Sequence, residues 1–119
     1  MKFCLTNALY LGSKVDVLVE DGRIVTMVPQ GKGPQDVEQV DAKGLVLLPA
    51  LTDCHVHFRD PGFEYKEDIN SGLEAAAHGG FGSVICMPNT KPVNDSAAVT
   101  RYMLEKAEKT HPHLSLIHI

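Results

Sequence analysis

The sequence predicts an α/β fold in two parts, a strand-rich segment followed by a parallel β-α-β-α-β array. Three observations predict it. Residues 15–28 read as two strands around an Asp-Gly turn, and residues 45–57 form a largely apolar run that ends in Asp53-Cys54-His55-Val56-His57. Two stretches of helical period, about 66–78 and 97–109, then alternate with a short apolar strand and the tail of the chain. Alternation at this spacing calls for parallel strands joined by right-handed helical crossovers. The change of pattern puts the boundary between the parts near residues 44–50.

Each element has its own local reason. Val15, Val17 and Val19 alternate with Asp16, Leu18 and Glu20; after Glu20-Asp21-Gly22-Arg23 comes the apolar run Ile24–Val28. An Asp-Gly pair between two such runs marks a hairpin, because the turn needs positive φ. Pro29–Pro34 is full of chain breakers and reads as a surface loop, and Val37–Asp41 reads as a further short strand closed by Ala42-Lys43-Gly44. Leu45–Leu51, interrupted only by Pro49, suits a strand covered on both faces, as in a parallel sheet. The helix at about 66–78 places Ile69, Leu73, Ala76 and Ala77 on one face and stops at Gly79-Gly80. Ser83–Met87 is a second buried strand, and Pro88–Pro92 is a loop. Asn94-Asp95-Ser96 caps the helix at about 97–109, which turns Val99, Met103, Leu104 and Ala107 inward. Thr110-His111-Pro112 closes it, and Leu114–Ile119 has the character of a third strand.

Composition excludes several classes of function. The 44% hydrophobic and 22% charged residues are ordinary for a globular chain. Eleven Lys plus Arg against fifteen Asp plus Glu give a net charge of −4, the wrong sign for a nucleic-acid binder. The longest purely apolar run, Leu45–Leu48, is far short of the roughly 18 residues of a membrane span. Met1–Asn7 lacks the apolar core of a secretory signal. Cys4, Cys54 and Cys86 are odd in number and widely spaced, which suggests free thiols, small core residues and a reducing, cytoplasmic location. The chain has 119 residues, whereas a closed (β/α)8 barrel needs roughly 250.

The chemistry concentrates in Asp53–Gly62. Alternate residues of a strand share a face, so Asp53, His55 and His57 should point one way and Cys54 and Val56 the other. Two imidazoles at the C-terminal end of a strand can hold one metal ion, and neutral imidazole suits zinc. The C-terminal face of parallel strands is where α/β barrels place their active sites. His-x-His alone also fits two partly exposed histidines that bind nothing. Arg59 lies two residues past His57, where a guanidinium can grip a carboxylate in a bidentate way.

Asp53-Cys54-His55-Val56-His57 resembles the metal-binding signature of the amidohydrolase superfamily. With Arg59-Asp60-Pro61-Gly62 it is similar to dihydroorotases of the long, barrel-plus-sandwich kind. Lys66–Gly72, Ala75–Phe81 and Cys86-Met87-Pro88-Asn89-Thr90 follow in the family's order and spacing, so the likeness runs from residue 1 to about 113. The resemblance implies that His55 and His57 are metal ligands on the first barrel strand and that Arg59 and Asn89 hold the substrate carboxylate. Asp53 and Asp60 are left with supporting or structural roles. It implies the start of a metal-dependent (β/α)8 amidohydrolase barrel over residues 49–113, preceded at 1–48 by part of a small β-sandwich.

The implied reaction is the reversible, zinc-dependent hydrolysis of the cyclic amide of dihydroorotate to N-carbamoyl-aspartate in pyrimidine synthesis, with one or two zinc ions per site. The general base and the remaining ligands would lie beyond this chain, so the fragment alone is expected to be inactive and prone to aggregate. The implied partners are the substrate pair, a second copy of the enzyme, or aspartate transcarbamylase. Two rivals share the signature: a hydantoinase- or allantoinase-like cyclic amidohydrolase, and a non-catalytic dihydroorotase-like scaffold subunit of aspartate transcarbamylase. Intact His55, His57, Arg59 and Asn89 favour the enzyme, and Arg59 with the Met87–Thr90 block favours a carboxylated substrate.

The other histidines have simpler readings. His78 ends a helix, where positive charge suits the dipole, and His111 and His113 flank a turn. Arg101, Glu105, Lys106, Glu108 and Lys109 read as a solvated helix face. Leu114–Ile119 has a second reading. The codons CTG TCT CTT ATA CAC ATC, which resemble the transposon end of sequencing-library adapters, would translate to the same six residues, and the next adapter codon is TGA. We therefore expect 114–119 to be a non-native tail, with natural sequence stopping near His113 and no function for His118.

Overall fold

The computed structural model describes residues 1–111 and 115–118. The chain divides into two compact units, Met1–Pro49 and Ala50–Ile119. The first holds β1 (Lys2–Tyr10), β2 (Ser13–Glu20), β3 (Arg23–Pro29) and β4 (Glu38–Asp41). They form one sheet in the order β3-β2-β1-β4, antiparallel except where β4 joins β1 in parallel. The Asp21-Gly22 hairpin is present, with both residues at positive φ (49° and 75°) as a primed turn requires.

β1 was not among the expected strands. Its turn to β2 is Leu11-Gly12, again with both φ values positive (46° and 80°), and a leucine there gives no turn signal. Its alternation is also broken. Thr6 and Asn7 together oppose the single Asp16, a bulge in which Asn7 takes φ 62°. The buried Asp16 carboxylate secures this bulge. It accepts hydrogen bonds from the backbone amides of Asn7 (3.2 Å), Gly31 (2.6 Å) and Gly33 (3.2 Å). The breaker-rich loop at 30–34 is thereby pinned, and Gly33 is buried so closely that a Cβ would lie 2.7 Å from Cys4 Sγ.

The second unit runs β5 (Leu51–Val56), α1 (Ile69–His78), β6 (Phe81–Cys86), α2 (Ala97–Thr110) and β7 (Ser115–His118). Its sheet is parallel in the order β5-β6-β7, so the expected β-α-β-α-β succession is present. The expected turn at Pro112 and the positions of His113, Leu114 and Ile119 lie outside the described residues. One core joins helices and sheet: Phe58, Ile69, Leu73, Val84, Cys86, Met103, Ala107 and Leu116.

Several details differ from expectation. The run 45–51 is not a strand covered on both faces. β5 begins only at Leu51, and residues 45–47 instead run alongside β1, where Leu9 N donates to Leu45 O (3.0 Å) and Leu47 N donates to Leu9 O (2.8 Å); Leu45, Val46, Leu48 and Leu51 are exposed. α1 starts at Ile69 and not near Lys66, because Asp68 caps it. The Asp68 carboxylate accepts from the Ser71 amide (2.8 Å), and the Ser71 hydroxyl accepts from the Asp68 amide (3.3 Å). Ala77 and Leu104 are exposed, since each lies at the margin of its helix's apolar stripe. Cys4 and Cys86 are buried free thiols, but Cys54 is exposed on the outer strand.

Two outcomes follow for stability. A Cβ at Gly72 would lie 2.4 Å from the Phe58 ring. Helix propensity alone favours alanine there by about 1 kcal/mol. The clash outweighs it, so Gly72→Ala is expected to lower stability by about 1–3 kcal/mol in urea unfolding. The Ser71 backbone hydrogen bond holds the Asp68 carboxyl below its ordinary 3.8. Its stabilising effect is therefore complete above that value and is lost as pH falls through the lower folded-state pKa. Asp68→Ala should cost about 1 kcal/mol at pH 7 and progressively less on acidification, with Asp68→Asn close to wild type.

Candidate functional site

The site forms where β5 ends. Opposite β6, Asp53 faces Val84 and Val56 faces Cys86, so Cys54 and His55 together oppose the single Ile85. This is a bulge, and it interrupts the alternation that placed Asp53, His55 and His57 on one face. Asp53 Oδ1 instead accepts the backbone amide of His55 (3.0 Å), so its role here is to fix the bulged main chain.

His55 and His57 do converge. Their Nε2 atoms lie 3.2 Å apart, with ring centroids at 4.9 Å and planes at 69°. Two nitrogens bound to zinc at 2.0–2.1 Å and a tetrahedral angle are about 3.3 Å apart, so the observed separation fits a shared ion. The other face of His57 is also set. Its Nδ1 lies 3.0 Å from Asn89 Oδ1, which can only accept, so Nδ1 carries the proton and Nε2 keeps its lone pair. The residues present thus fit two of the four ligand positions of a tetrahedral zinc. Among the described residues no group of three or more His, Cys, Asp or Glu could hold a metal ion.

Asn89 arrives from the loop after β6, which is itself well ordered by hydrogen bonds. Thr90 is buried, its hydroxyl donating to Pro92 O (2.7 Å), and the amides of Thr90 and Asn94 both donate to Pro88 O (2.9 and 3.0 Å). With Oδ1 engaged by His57, the Asn89 amide nitrogen is the group left to donate to a ligand.

Arg59 is half-buried just beyond the histidines and has φ 62°, a left-handed conformation costing a non-glycine residue about 1–2 kcal/mol. Its guanidinium makes no ion pair among the described residues. The chain is held on both sides of it. Phe58 is buried against Gly72, Phe63 N donates to Arg59 O (2.9 Å), and Lys91 N donates to Pro61 O (2.8 Å). The last of these ties the Arg59 loop to the Asn89 loop.

Asp60 is a buried structural group. It is fully buried and paired with Lys106 at 2.6 Å, while the Tyr102 hydroxyl donates to it at 3.0 Å and the Ile69 amide at 3.3 Å. Lys106 therefore does not belong to the solvated helix face; Arg101, Glu105, Glu108 and Lys109 do. Its hydrogen bond to Asp60 holds the ammonium pKa above the ordinary 10.5. Burial first, then Asp60, raises the Tyr102 hydroxyl. The sequence carried little signal for this grouping: the i, i+4 spacing of Tyr102 and Lys106 says that they share a face, not what they meet. Burial pushes the Cys86 thiol up as well, so it is no nucleophile.

A cleft of about 300 Å³ lies beside α1, lined by Asp53, His57 and Glu67 among apolar Val56, Phe58, Ala76 and Phe81. It shares His57 with the strand-end site, while His55, Arg59 and Asn89 are not part of its lining. His78 Nδ1 lies 2.8 Å from Glu74 O within the last turn of α1, as its helix-end position implied.

Comparison with known proteins agrees with this geometry. Residues 44–113 match the model of the dihydro-orotase-like family. A dihydroorotase of Syntrophotalea carbinolica is 53% identical over 113 residues, covering 90% of this chain and 26% of that protein. One of Geobacter metallireducens is 57% identical over 94 residues, covering 79% and 22%. The chain thus spans about a quarter of the length of these relatives. Among solved structures, an L-hydantoinase (dihydropyrimidinase) from Arthrobacter aurescens superposes with a TM-score of 0.77 at 24% identity, over 88% of this chain and 24% of that one. A β-aspartyl dipeptidase from Fervidobacterium islandicum does so at 0.66 and 20% identity, over 99% and 32%. With more than half of its length matched by the family model, this chain belongs to the dihydro-orotase-like family.

Proposed function

We propose that the full protein containing this segment is a dihydroorotase, reversibly hydrolysing the cyclic amide of dihydroorotate to N-carbamoyl-aspartate. In this reading β1–β4 supply part of a β-sandwich, and residues 49–113 begin a (β/α)8 barrel. The observation that carries the proposal is the 3.2 Å approach of the His55 and His57 Nε2 atoms, backed by Asn89. His55 and His57 hold zinc, in a site of one or two ions completed by ligands from the rest of the protein. A bound zinc ion supplies Lewis-acid polarisation of the amide carbonyl and acidifies the attacking water. Arg59 grips the substrate carboxylate, and the Asn89 amide nitrogen adds a second donor. Asn89 thus serves substrate and ligand together, by opposite ends of one amide. The general base comes from outside this segment. We place the enzyme in the cytoplasm and expect it to act as a homodimer or beside aspartate transcarbamylase. The reading of residues 114–119 as adapter-encoded is tested by sequencing the source locus past the codon for His113.

Two outcomes test the chemistry in the full-length protein. His57→Ala should lose bound zinc on dialysis, measured by elemental analysis, and lose at least about a hundredfold in kcat. Arg59→Met should raise KM for dihydroorotate by roughly 10- to 100-fold, the loss of a charge-assisted carboxylate contact. Turnover of hydantoin but not dihydroorotate by the wild type would replace this reading with the hydantoinase one, and tight zinc binding without either turnover would favour the scaffold. Arg59→Gly should move stability the other way, gaining about 0.5–1 kcal/mol as the left-handed strain is relieved and part of the gain is lost to chain entropy.

A further inference from the structure

We propose that Asp60 is a positioning residue: gripped by Lys106 and Tyr102 of α2, it fixes Arg59 in its left-handed conformation at the mouth of β5. The inference rests on the proposed role of Arg59 as the carboxylate-gripping group.

The argument begins with an oddity. Asp60 is a fully buried carboxylate whose cationic partner, Lys106, is about one-third exposed (36%). A buried ion pair is a poor way to gain stability, because desolvation offsets most of the attraction and an apolar pair of similar volume would pack as well. What it supplies is direction. Oδ1 accepts from Tyr102, and Oδ2 accepts from both Lys106 and the Ile69 amide, so the carboxylate can take one orientation only. Lys106 also reaches the Tyr102 hydroxyl (3.4 Å) and lies 5.8 Å from its ring centre, which braces the two α2 side chains against each other. The clamp therefore joins the start of α1, the middle of α2 and the loop after β5.

Arg59 is the residue immediately before Asp60, and among the described residues its side chain has no ion-pair partner. A strained φ persists only where the surroundings over-determine it. Here the neighbours do so, with Phe58 locked in the core on one side and Asp60 in the clamp on the other. The same loop bonds to Lys91, so the clamp also steadies the distance between Arg59 and Asn89. Release of Asp60 would let residue 59 relax to negative φ and swing the guanidinium away.

The test uses the full-length enzyme with Tyr102→Phe, Lys106→Met and the conservative Lys106→Arg. Two readouts are taken: steady-state kinetics with dihydroorotate, and the rate of trypsin cleavage after Arg59 relative to cleavage after Lys43. The expected result for Tyr102→Phe is a three- to tenfold rise in KM with kcat within twofold, and at least a fivefold selective rise in cleavage after Arg59. Lys106→Met should show both effects more strongly, and Lys106→Arg should restore most of the wild-type behaviour. A folded Tyr102→Phe with unchanged KM and unchanged relative cleavage overturns the proposal. So does a fall in kcat at constant KM with cleavage rising equally at both bonds, which reports general unfolding. If Arg59→Met leaves KM unchanged while the clamp variants still expose the Arg59 bond selectively, the positioning stands and the carboxylate role of Arg59 falls.

Discussion

One buried ion pair ties the strand-end loop of the second unit to α2. Asp60 and Lys106 meet at 2.6 Å where two helices and a strand-end loop come together, and the Ile69 amide adds the start of α1. The hydrophobic core beneath it, from Phe58 through Leu73 to Met103, holds helices against sheet but leaves direction loose. Apolar contact is non-directional. A carboxylate with three donors is not. The left-handed Arg59 lies immediately before this pair, its loop bonds to the Asn89 loop through Lys91, and Asn89 in turn supports His57.

The β5 edge shows the complementary constraint. A parallel strand is stable when both its faces are covered, and sequences for such strands are apolar throughout. Leu45–Leu51 has that composition, yet its large side chains are exposed in this chain. Their exposure matches a chain that spans about a quarter of its relatives' length.

Much of this could be read from the sequence, for identifiable reasons. The Asp21-Gly22 hairpin, the alternation after residue 50 and the ends of α2 all follow from local signals: positive-φ glycine, period and a Ser96 cap. His55, His57, Arg59 and Asn89 were legible because the motif is compact, and His55, His57 and Asn89 do meet in space. What stayed hidden was non-local or irregular. β1 was concealed by a leucine in its turn and a bulge at Asn7, both of which break the period on which strand assignment relies. Lys106 looked like any solvated lysine because its partner lies 46 residues earlier in the chain and charge patterning along a helix does not report a carboxylate arriving from a loop. Asp53 was grouped with the histidines by period, and the bulge separates their duties.

That bulge has a mechanical consequence. Because Cys54 and His55 share one partner on β6, the ladder upstream of the bulge and the ligand pair downstream are not in rigid register. An insertion or deletion in the apolar run before Asp53 can be absorbed there without carrying His55 and His57 to the wrong side of the sheet. The bulge works as a slip joint. A change of length before Asp53 would then leave the mutual spacing of the two imidazoles as it is.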